Sequence, residues 1–401
     1  MNLPRLSRYA MFGLIYFAEG AILSYFTALN SLYLLKFNLN MSQIGVIGAI
    51  ALIPFVIKIF MGMISDKFNL FGLGFRKPYI IIGLLVQCTC LLIVPSINPG
   101  KYYWLFALMA FILMMGQALY DTTTDGLALD TTSVEEQGTI QGIMVGGRAL
   151  GVVLISAALG QVVAHLSWTA AFLGLAVLTL LPLPLVLQVK ENQRAAGRNF
   201  EWKAFSAFRA PTIITLGLLG ALYSLVINGA NQIINPFLDT TFHIGLAAAG
   251  LYTTVWGIGT ALGGLTGGYL VDRIGQRRSV IAAMIATLLA VLGLATILNP
   301  VMAWPLVFVF GLAFGYYETV YFAMSMRSTD PRIAASMFAI LMAIANVGTG
   351  VGLGLSGAMV DSTLGYRGTF VVIALLNLLA IPLLPVIFPR LSKPAVAAAG
   401  Q

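Results

Sequence analysis

Long apolar segments, each separated from the next by a short polar connection, are the feature that most constrains this chain. We count twelve, each about as long as the roughly 20 residues that a helix needs to cross a bilayer. Only 9% of the 401 residues are charged and 59% are hydrophobic, too few polar side chains for a water-soluble surface. We therefore predict an all-α polytopic membrane protein with twelve transmembrane helices in the lipid bilayer. The predicted spans lie near 9–35, 43–65, 79–97, 104–129, 137–160, 168–189, 211–235, 247–271, 279–298, 301–326, 333–358 and 369–389.

The positions of the basic residues predict how these spans are oriented. Of the 22 lysines and arginines, only Lys36, Lys101 and Arg367 fall on the side opposite the N-terminus, and Lys58 and Arg148 fall within spans. All the others share the side of the N-terminus, and such a bias is typical of the cytoplasmic side. We therefore expect a plasma (inner) membrane protein with both termini in the cytoplasm. This distribution also explains the net charge of +8 without a nucleic-acid partner.

The two halves of the chain repeat each other. The segment GMISD at 62–66 recurs as GYLVD at 268–272, an offset of 206 residues. In the fourth and tenth spans, Asp121 aligns with Glu318 at an offset of 197 residues. Parallel repeats of six spans are the building blocks of one large transporter fold.

The domain boundaries follow from this repeat and from the longest polar stretch of the chain. We predict an N-terminal six-helix bundle at 1–189, a cytoplasmic linker at 190–210, and a C-terminal six-helix bundle with a short tail at 211–401. Aromatic residues in the linker leave two interpretations open, a segment on the membrane surface and a solvated tether. They are Phe200, Trp202, Phe205 and Phe208.

Three loop motifs resemble those of a known transporter family. The motif GGYLVDRIGQRR at 267–278 resembles the loop signature of the major facilitator superfamily, and the twelve spans extend that resemblance over the whole chain. The motifs FGLGFRKPYIIIG at 71–83 and TDGLALDTTSVEEQG at 124–138 are similar to those of AmpG-type muropeptide permeases, folate–biopterin transporters and PucC-type proteins. The resemblance implies the major facilitator fold, two six-helix pseudo-repeats in which spans one, four, seven and ten line a central cavity.

We expect the repeated loop element to act in gating rather than in contacts with a solute. An aspartate near a helix end can pair with loop arginines or cap a neighbouring helix, and a rocking motion of the two halves breaks such contacts. The residues concerned are Gly62, Asp66, Arg76, Gly268, Asp272, Arg273 and Arg277.

Five ionisable residues fall near a common depth inside the predicted spans. Glu19, Asp121 and Glu318 are acids, and Lys58 and Arg148 are bases. Counted from the cytoplasmic ends of their spans they lie about 7 to 11 residues deep, which places them within a layer roughly 6 Å thick. Because charges inside a membrane are costly, we predict that this layer is a functional site.

The bases of this layer are expected to neutralise acids on neighbouring spans. Arg148 can pair with Asp121 or with Asp125, which lies one helical turn further along the fourth span. We favour a structural salt bridge between Arg148 and Asp125 that locks spans four and five, and we include Lys58 in the same group.

Proton coupling is expected at the acids that lack a base. The repeat counterpart of Arg148 is Ala345, so Glu318 has no basic neighbour of that kind. A buried carboxyl without a cation keeps its proton more readily, which makes Glu318 our first candidate for the proton carrier. Glu19 is the second candidate because no base adjoins it in sequence, and Asp121 completes the set.

Polar residues near the layer are candidates for binding a solute. Span seven carries Asn228, Asn231, Gln232 and Asn235 on one helical face. Four amides on one face favour a wet cavity over hydrogen bonding between helices, which needs only one or two. Pro236 is then expected to end or kink this span. The predicted solute contacts are Asn228, Asn231, Gln232, Tyr120, Tyr317 and Gln117.

Other chemistries find no support in the sequence. There is no P-loop for nucleotide hydrolysis and no metal-ligand spacing. We expect a protein that is not an enzyme, with no cofactor or metal ion, that acts as a monomer.

Transport is the leading hypothesis for function. We predict a secondary active transporter that moves a small-molecule substrate, an organic solute, by alternating access and is coupled to protons. The alternatives are a membrane assembly or pigment-handling factor of PucC type, which has no need of acids on three cavity spans, and multidrug efflux. Because acids outnumber bases in the layer, we expect a neutral or cationic solute.

Overall fold

The computed structural model describes residues 4–131, 134–191, 209–328 and 334–388. Within these ranges the regular structure is helical and no strand occurs. Eleven helices are long and apolar enough to cross a membrane, which confirms the all-α, multi-pass prediction. The predicted linker at 190–210 lies outside the described residues except at its two ends.

Twelve long helices follow the predicted order of spans. They are α1 (Arg5–Ala28), α2 (Met41–Lys67), α3 (Lys77–Ile93), α4 (Tyr103–Thr131), α5 (Val134–His165), α6 (Trp168–Leu180), α7 (Pro211–Phe242), α8 (Gly245–Ile274), α9 (Gln276–Ala295), α10 (Pro300–Arg327), α11 (Ala334–Val360) and α12 (Gly365–Leu376). Short helical segments continue α1, α6 and α12: Asn30–Leu35, Leu183–Leu187, Asn377–Leu383 and Leu384–Ile387.

Helix α8 is the long helix that is not among the eleven apolar ones. Glycine and threonine residues along it lower its mean hydropathy. Its 30 residues nevertheless extend about 45 Å, more than the roughly 30 Å of bilayer hydrocarbon. The same glycines allow the neighbouring helices to approach closely, as described below.

Two helix ends differ from the predicted spans. The first span was expected to reach residue 35, but α1 ends at Ala28 and a separate short helix follows after Leu29. Pro236 does not end α7, which continues to Phe242 and stops where His243 adopts a left-handed conformation with φ 52°. Helices in membranes tolerate an internal proline because neighbouring groups can satisfy the backbone group that it leaves free.

The six long helices of each half pack in the same order. In the N-terminal bundle α1 packs against α5, α4 packs against α2 and α3, and α3 also contacts α6. The C-terminal bundle repeats this arrangement, with α7 against α11, α10 against α8 and α9, and α9 against α12. We call the side on which α1 and α7 begin the linker side, and the other side the far side.

Helices α2 and α11 form one contact between the bundles, and α5 and α8 form the other. Glycines make both contacts close. A Cβ atom on Gly250 of α8 would lie 2.3 Å from the backbone oxygen of Ser156 in α5. A Cβ atom on Gly357 of α11 would lie 2.1 Å from the backbone oxygen of Met41 in α2. Such small-residue contacts are typical of helix packing in membranes.

Polar side chains begin three helices on the far side. Asn40, Ser167 and Asn299 precede α2, α6 and α10, and each accepts a hydrogen bond from the backbone N–H three residues later. These caps satisfy donors that the first turn of a helix leaves without a partner.

Candidate functional site

The structure brings four of the five predicted membrane charges together inside the N-terminal bundle. Arg148 donates to Glu19 at 2.5 Å, and Lys58 donates to Asp121 at 3.1 Å. A second Arg148 contact places the guanidinium 3.9 Å from the other oxygen of Asp121. Two acids and two bases from α1, α2, α4 and α5 therefore form one connected cluster, which we call the charge cluster.

Helix α1 places Glu19 beside Arg148 because it packs closely along α5. A Cβ atom on Gly20 would lie 2.1 Å from the backbone oxygen of Arg148, and one on Gly151 would lie 2.3 Å from that of Phe17. The two backbones can touch only because these positions are glycines. The residue that precedes Gly20 therefore projects its carboxylate beside the Arg148 side chain.

Asp125 differs from its predicted pairing. It was expected to form the salt bridge with Arg148, but in the structure it accepts a hydrogen bond from the hydroxyl of Tyr16. Tyr16 also donates to Asp121 at 3.3 Å. The physical reason is that α1 lies along α5 and supplies Glu19 to the arginine.

Tyr16 is a site residue that the sequence-based prediction missed. Its ring lies under the guanidinium of Arg148, with 5.3 Å between the guanidinium carbon and the ring centroid. Tyr16 precedes Glu19 by three residues, so both side chains share one face of α1. That spacing was the signal that could have identified it.

The acids and bases of the charge cluster differ in exposure. The side chains of Glu19 and Asp121 are 5% and 3% exposed. Those of Arg148 and Lys58 are 43% and 29% exposed. The bases therefore form the accessible surface of the cluster, and the two acids lie behind them.

Glu318 is the one acid of the predicted layer that belongs to the C-terminal bundle. It is partly exposed and makes no hydrogen bond or ion pair with the described residues. It follows the fully buried Tyr317, whose ring centroid lies 5.2 Å from that of Tyr223 in α7.

The amides of α7 are mostly engaged within the protein. Asn228 donates to Thr349, and Gln232 donates to the backbone oxygen of Leu353 at 3.0 Å, so both bind α11. Asn235 is buried, and it donates to the backbone oxygen of Ala28 and to Thr253. These contacts match the alternative of hydrogen bonding between helices. Asn231 is the exception, because it is partly exposed and hydrogen-bonds to none of the described residues.

Three other predicted solute contacts lie inside the bundles. Gln117 is buried and accepts a hydrogen bond from Gln87 of α3 at 2.9 Å. Tyr120 and Tyr317 are fully buried. Their side chains face neighbouring helices of their own bundle, so in this conformation a solute cannot reach them directly.

Asp361 joins the two bundles on the far side. The carboxylate at the end of α11 accepts hydrogen bonds from the backbone N–H groups of Met41 and Ser42, at 3.0 and 2.6 Å. The Ser42 hydroxyl donates to it as well. A carboxylate at the N-terminus of a helix also interacts favourably with the helix dipole.

All hydrogen bonds between the bundles, within the part of the chain that the structure describes, lie between the far side and the middle of the molecule. Besides those of Asp361, they join Asn235 to Ala28, Thr254 to Val153 and Asn346 to Phe55. Of these hydrogen bonds, the one at Phe55 lies nearest the linker side. Phe55 precedes Lys58 by three residues in α2, so Lys58 lies beyond it toward the linker side. The hydrogen bonds that join the bundles therefore lie on the far side of the charge cluster, while apolar packing of Ile59 in α2 against Ile213 and Met337 continues on its linker side.

The sequence matches the profile of the Major Facilitator Superfamily twice, over residues 11–230 and 216–401. The chain belongs to the Major Facilitator Superfamily. Each match covers about one bundle, in agreement with the repeated packing of the helices. The resemblance of the loop motifs to this superfamily is confirmed.

Relatives and solved structures of the superfamily agree with this assignment. The chain is 24% identical to the AmpG 1 transporter of Rickettsia bellii over 60% of its own length and 63% of that relative's. It is 25% identical to the multidrug resistance protein MdtG of Klebsiella pneumoniae, with 84% of each chain covered. Its fold resembles the crystal structure of the nucleoside transporter NupG (D323A mutant), with a TM-score of 0.79 and 16% identity over 96% of this chain and 99% of that one.

The superfamily loop element is built differently in the two bundles. In the first, Arg76 is buried, lies 2.6 Å from Asp66 and 3.2 Å from Asp130, and donates to Ser65. In the second, Asp272, Arg273 and Arg277 are exposed, and Arg273 lies over the ring of Tyr269. Gly62 and Gly268 occupy equivalent places, since a Cβ atom at either would meet the methyl group of a threonine, Thr122 or Thr319.

Metal coordination has no site in the described ranges, where no group of three histidine, cysteine, aspartate or glutamate side chains is placed to hold an ion.

Proposed function

We propose that this member of the superfamily is a proton-coupled secondary transporter that moves a small organic solute across the plasma (inner) membrane by alternating access. The observation that carries this proposal is the contrast between Glu318 and the charge cluster. Glu318 is an acid with no ion pair among the described residues, whereas Glu19 and Asp121 are each paired with a base.

Glu318 is proposed as the proton-binding group. A negative charge inside the membrane is costly unless a partner compensates it. Asp121 has Lys58 as its partner and Glu19 has Arg148, whereas Glu318 has no such ion pair among the described residues. Binding of a proton removes the uncompensated charge. Release of the proton is favoured when water enters as the cavity opens.

The far-side contacts support alternating access. The bundles contact each other through α2 and α11 and through α5 and α8. A rocking motion that opens the far side must break the hydrogen bonds of Asp361 and Asn235. The charge cluster and Glu318 lie on the linker side of these bonds, so we propose that this conformation is open toward the linker side. From the positive charges, that side is the cytoplasm.

Reconstitution in lipid vesicles tests the proposal. A pH gradient is imposed across vesicles that contain the purified protein, and accumulation of solutes from a bacterial small-molecule extract is measured by mass spectrometry. We expect at least one solute to accumulate, and a protonophore to abolish the accumulation. Glu318→Gln should abolish the effect of the gradient and preserve exchange of the same solute, while Glu136→Gln, which changes a carboxyl paired to Arg8, should behave as wild type.

The outcomes separate the alternatives. Solute exchange without dependence on the pH gradient would exclude proton coupling. The match to MdtG over 84% of the chain favours multidrug efflux as a second candidate, which predicts proton-driven extrusion of drugs instead of accumulation of metabolites. Absence of any solute movement would favour the assembly-factor alternative.

Cysteines introduced one at a time at positions 101 and 200 test the proposed orientation. In intact cells, an impermeant thiol reagent should label the cysteine at position 101 and should not label the one at position 200.

A further inference from the structure

The accessible surface of the charge cluster is positive, although its acids and bases are equal in number. Arg148 and Lys58 expose 43% and 29% of their side chains, whereas Glu19 and Asp121 expose 5% and 3%. A solute that enters between the bundles therefore meets the two cations first. The count of charges in the sequence suggested a neutral or cationic solute, and the exposure of the individual groups reverses that expectation.

The two cations converge on one point. Lys58 lies 3.1 Å from one oxygen of the Asp121 carboxylate, and Arg148 lies 3.9 Å from the other. The contact between Arg148 and Asp121 is too long for a strong hydrogen bond. The main acidic partner of Arg148 is therefore one oxygen of Glu19. A guanidinium has five N–H donors, so Arg148 retains donors for a further acceptor.

We propose that the transported solute is an organic anion whose carboxylate or phosphate group binds between Arg148 and Lys58. This inference rests on the proposed function, because it assumes that the space between the bundles admits a solute. Charge-assisted hydrogen bonds of this kind are strong and directional in a site with little water. On α7, Asn231 is partly exposed and hydrogen-bonds to none of the described residues, so its amide is available to a polar part of the same solute.

The position of Glu318 then gives the direction of coupling. Glu318 belongs to the other bundle and is partly exposed, with no ion pair among the described residues, so an ionised Glu318 would repel an anionic solute bound between the bundles. A protonated Glu318 does not repel the anion. Proton and solute therefore bind together, and the transporter is a symporter in which proton binding strengthens solute binding.

Fractionation of the small-molecule extract tests the solute class. Ion exchange separates the bacterial extract into anionic, neutral and cationic fractions, and each is offered to the reconstituted protein under a pH gradient. We expect accumulation from the anionic fraction. Pretreatment of that fraction with alkaline phosphatase distinguishes the two chemistries, since it removes phosphate monoesters and leaves carboxylates intact.

Two sets of variants test the assigned residues. Lys58→Gln and the double variant Glu19→Gln/Arg148→Gln should each lower anion accumulation by about 10- to 100-fold, as expected for loss of a hydrogen bond to a charged group. The double variant removes a base and its acid together, so it leaves no lone charge at that pair. Lys101→Gln, on the exposed far-side loop, is the matched control and should accumulate anions as wild type does.

Each result decides a different claim. Accumulation only from the neutral or cationic fraction overturns the anion assignment and leaves the proposed transport function standing. Accumulation from no fraction overturns the transport function, and the assignment fails with it. If the folded Lys58→Gln variant and the folded double variant both take up anions as wild type does, the anion does not bind between these cations.

Discussion

The two bundles have the same helix packing but different charges. Gly151 contacts the backbone of Phe17 as its counterpart Gly348 contacts that of Ala221, so Glu19 corresponds to Tyr223. Together with the sequence offsets, this aligns the charge cluster and the neighbouring Asp125 with the second bundle. Lys58 corresponds to Gly264, Arg148 to Ala345 and Asp125 to Phe322, and only Asp121 has an acidic counterpart, Glu318.

This comparison separates two kinds of membrane acid. In the N-terminal bundle each acid has hydrogen-bonding partners on other helices, so its charge contributes to the packing of those helices. In the C-terminal bundle the bases have been replaced by small residues, and Glu318 has no ion pair among the residues described. We therefore expect loss of charge to affect mainly folding in the first bundle and mainly coupling in the second.

Removing Arg148 should have the largest effect. Arg148→Ala leaves Glu19 buried without its base. Because Arg148 itself is partly exposed, we expect a cost toward the lower end of the about 3–5 kcal/mol for breaking a buried pair. We expect a clear fall in the thermal unfolding temperature of the purified protein. Adding Glu19→Gln should restore part of the loss, and adding Asp125→Asn should restore less, because Asp125 bonds to Tyr16. Equal rescue by both would contradict the pairing seen in the structure.

A matched pair of acid-to-amide variants tests the comparison directly. Asp121→Asn weakens the contacts to Lys58 and Arg148, and we expect it to cost about 1–3 kcal/mol of stability. Glu318→Gln loses no ion pair and should change stability by no more than about 0.5 kcal/mol. Thermal unfolding of both variants under one set of conditions measures the difference. A Glu318→Gln variant that is as unstable as Asp121→Asn would show that Glu318 has a structural partner.

The sequence predicted the fold and the members of the charge cluster better than their pairing. Apolar length identifies a membrane span without knowledge of its neighbours, and the rarity of charges within spans identifies Glu19, Lys58, Asp121 and Arg148. The partner of Arg148 depends on which helix lies along α5. That is decided by backbone contacts at positions such as Gly20, which are distant in sequence from α5 and have no pattern of their own.

The same limit applies to the amides of α7. Their spacing correctly predicts one helical face, since Asn228 and Gln232 both reach α11. Spacing alone does not tell whether that face meets water or another helix. Exposure likewise depends on the depth of each side chain behind its neighbours, which is why the positive surface formed by Arg148 and Lys58 could not be read from a count of charges.

Asp361 of the C-terminal bundle accepts hydrogen bonds from α2 of the N-terminal bundle, and its loss should have a smaller effect on stability. Asp361→Asn weakens the interaction with the N-terminus of α2, which is worth about 0.3–1 kcal/mol for an exposed carboxylate. We expect the far side to open more often, so a cysteine at position 49 of α2, where Ala49 meets Gly350 of α11 without crowding, should react faster with an impermeant thiol reagent. Ser42→Ala is the control, because it removes one hydroxyl bond and leaves the carboxylate in place. A reaction rate equal to that of the parent cysteine variant would show that Asp361 does not hold the far side closed.

The smallest effect on stability is expected at Asn231, and it distinguishes binding from packing within one helix. Asn231→Ala removes an amide that hydrogen-bonds to none of the described residues, so stability should stay within about 0.5 kcal/mol of wild type. Gln232→Ala removes the bonds to Leu353 and Ser356 of α11 and should cost about 0.5–1.5 kcal/mol. Uptake should show the opposite order, with a higher half-saturation concentration of solute in Asn231→Ala than in Gln232→Ala. If both variants changed stability and uptake in parallel, α7 would contribute packing alone, and the solute would be bound by the N-terminal bundle without an amide from its partner.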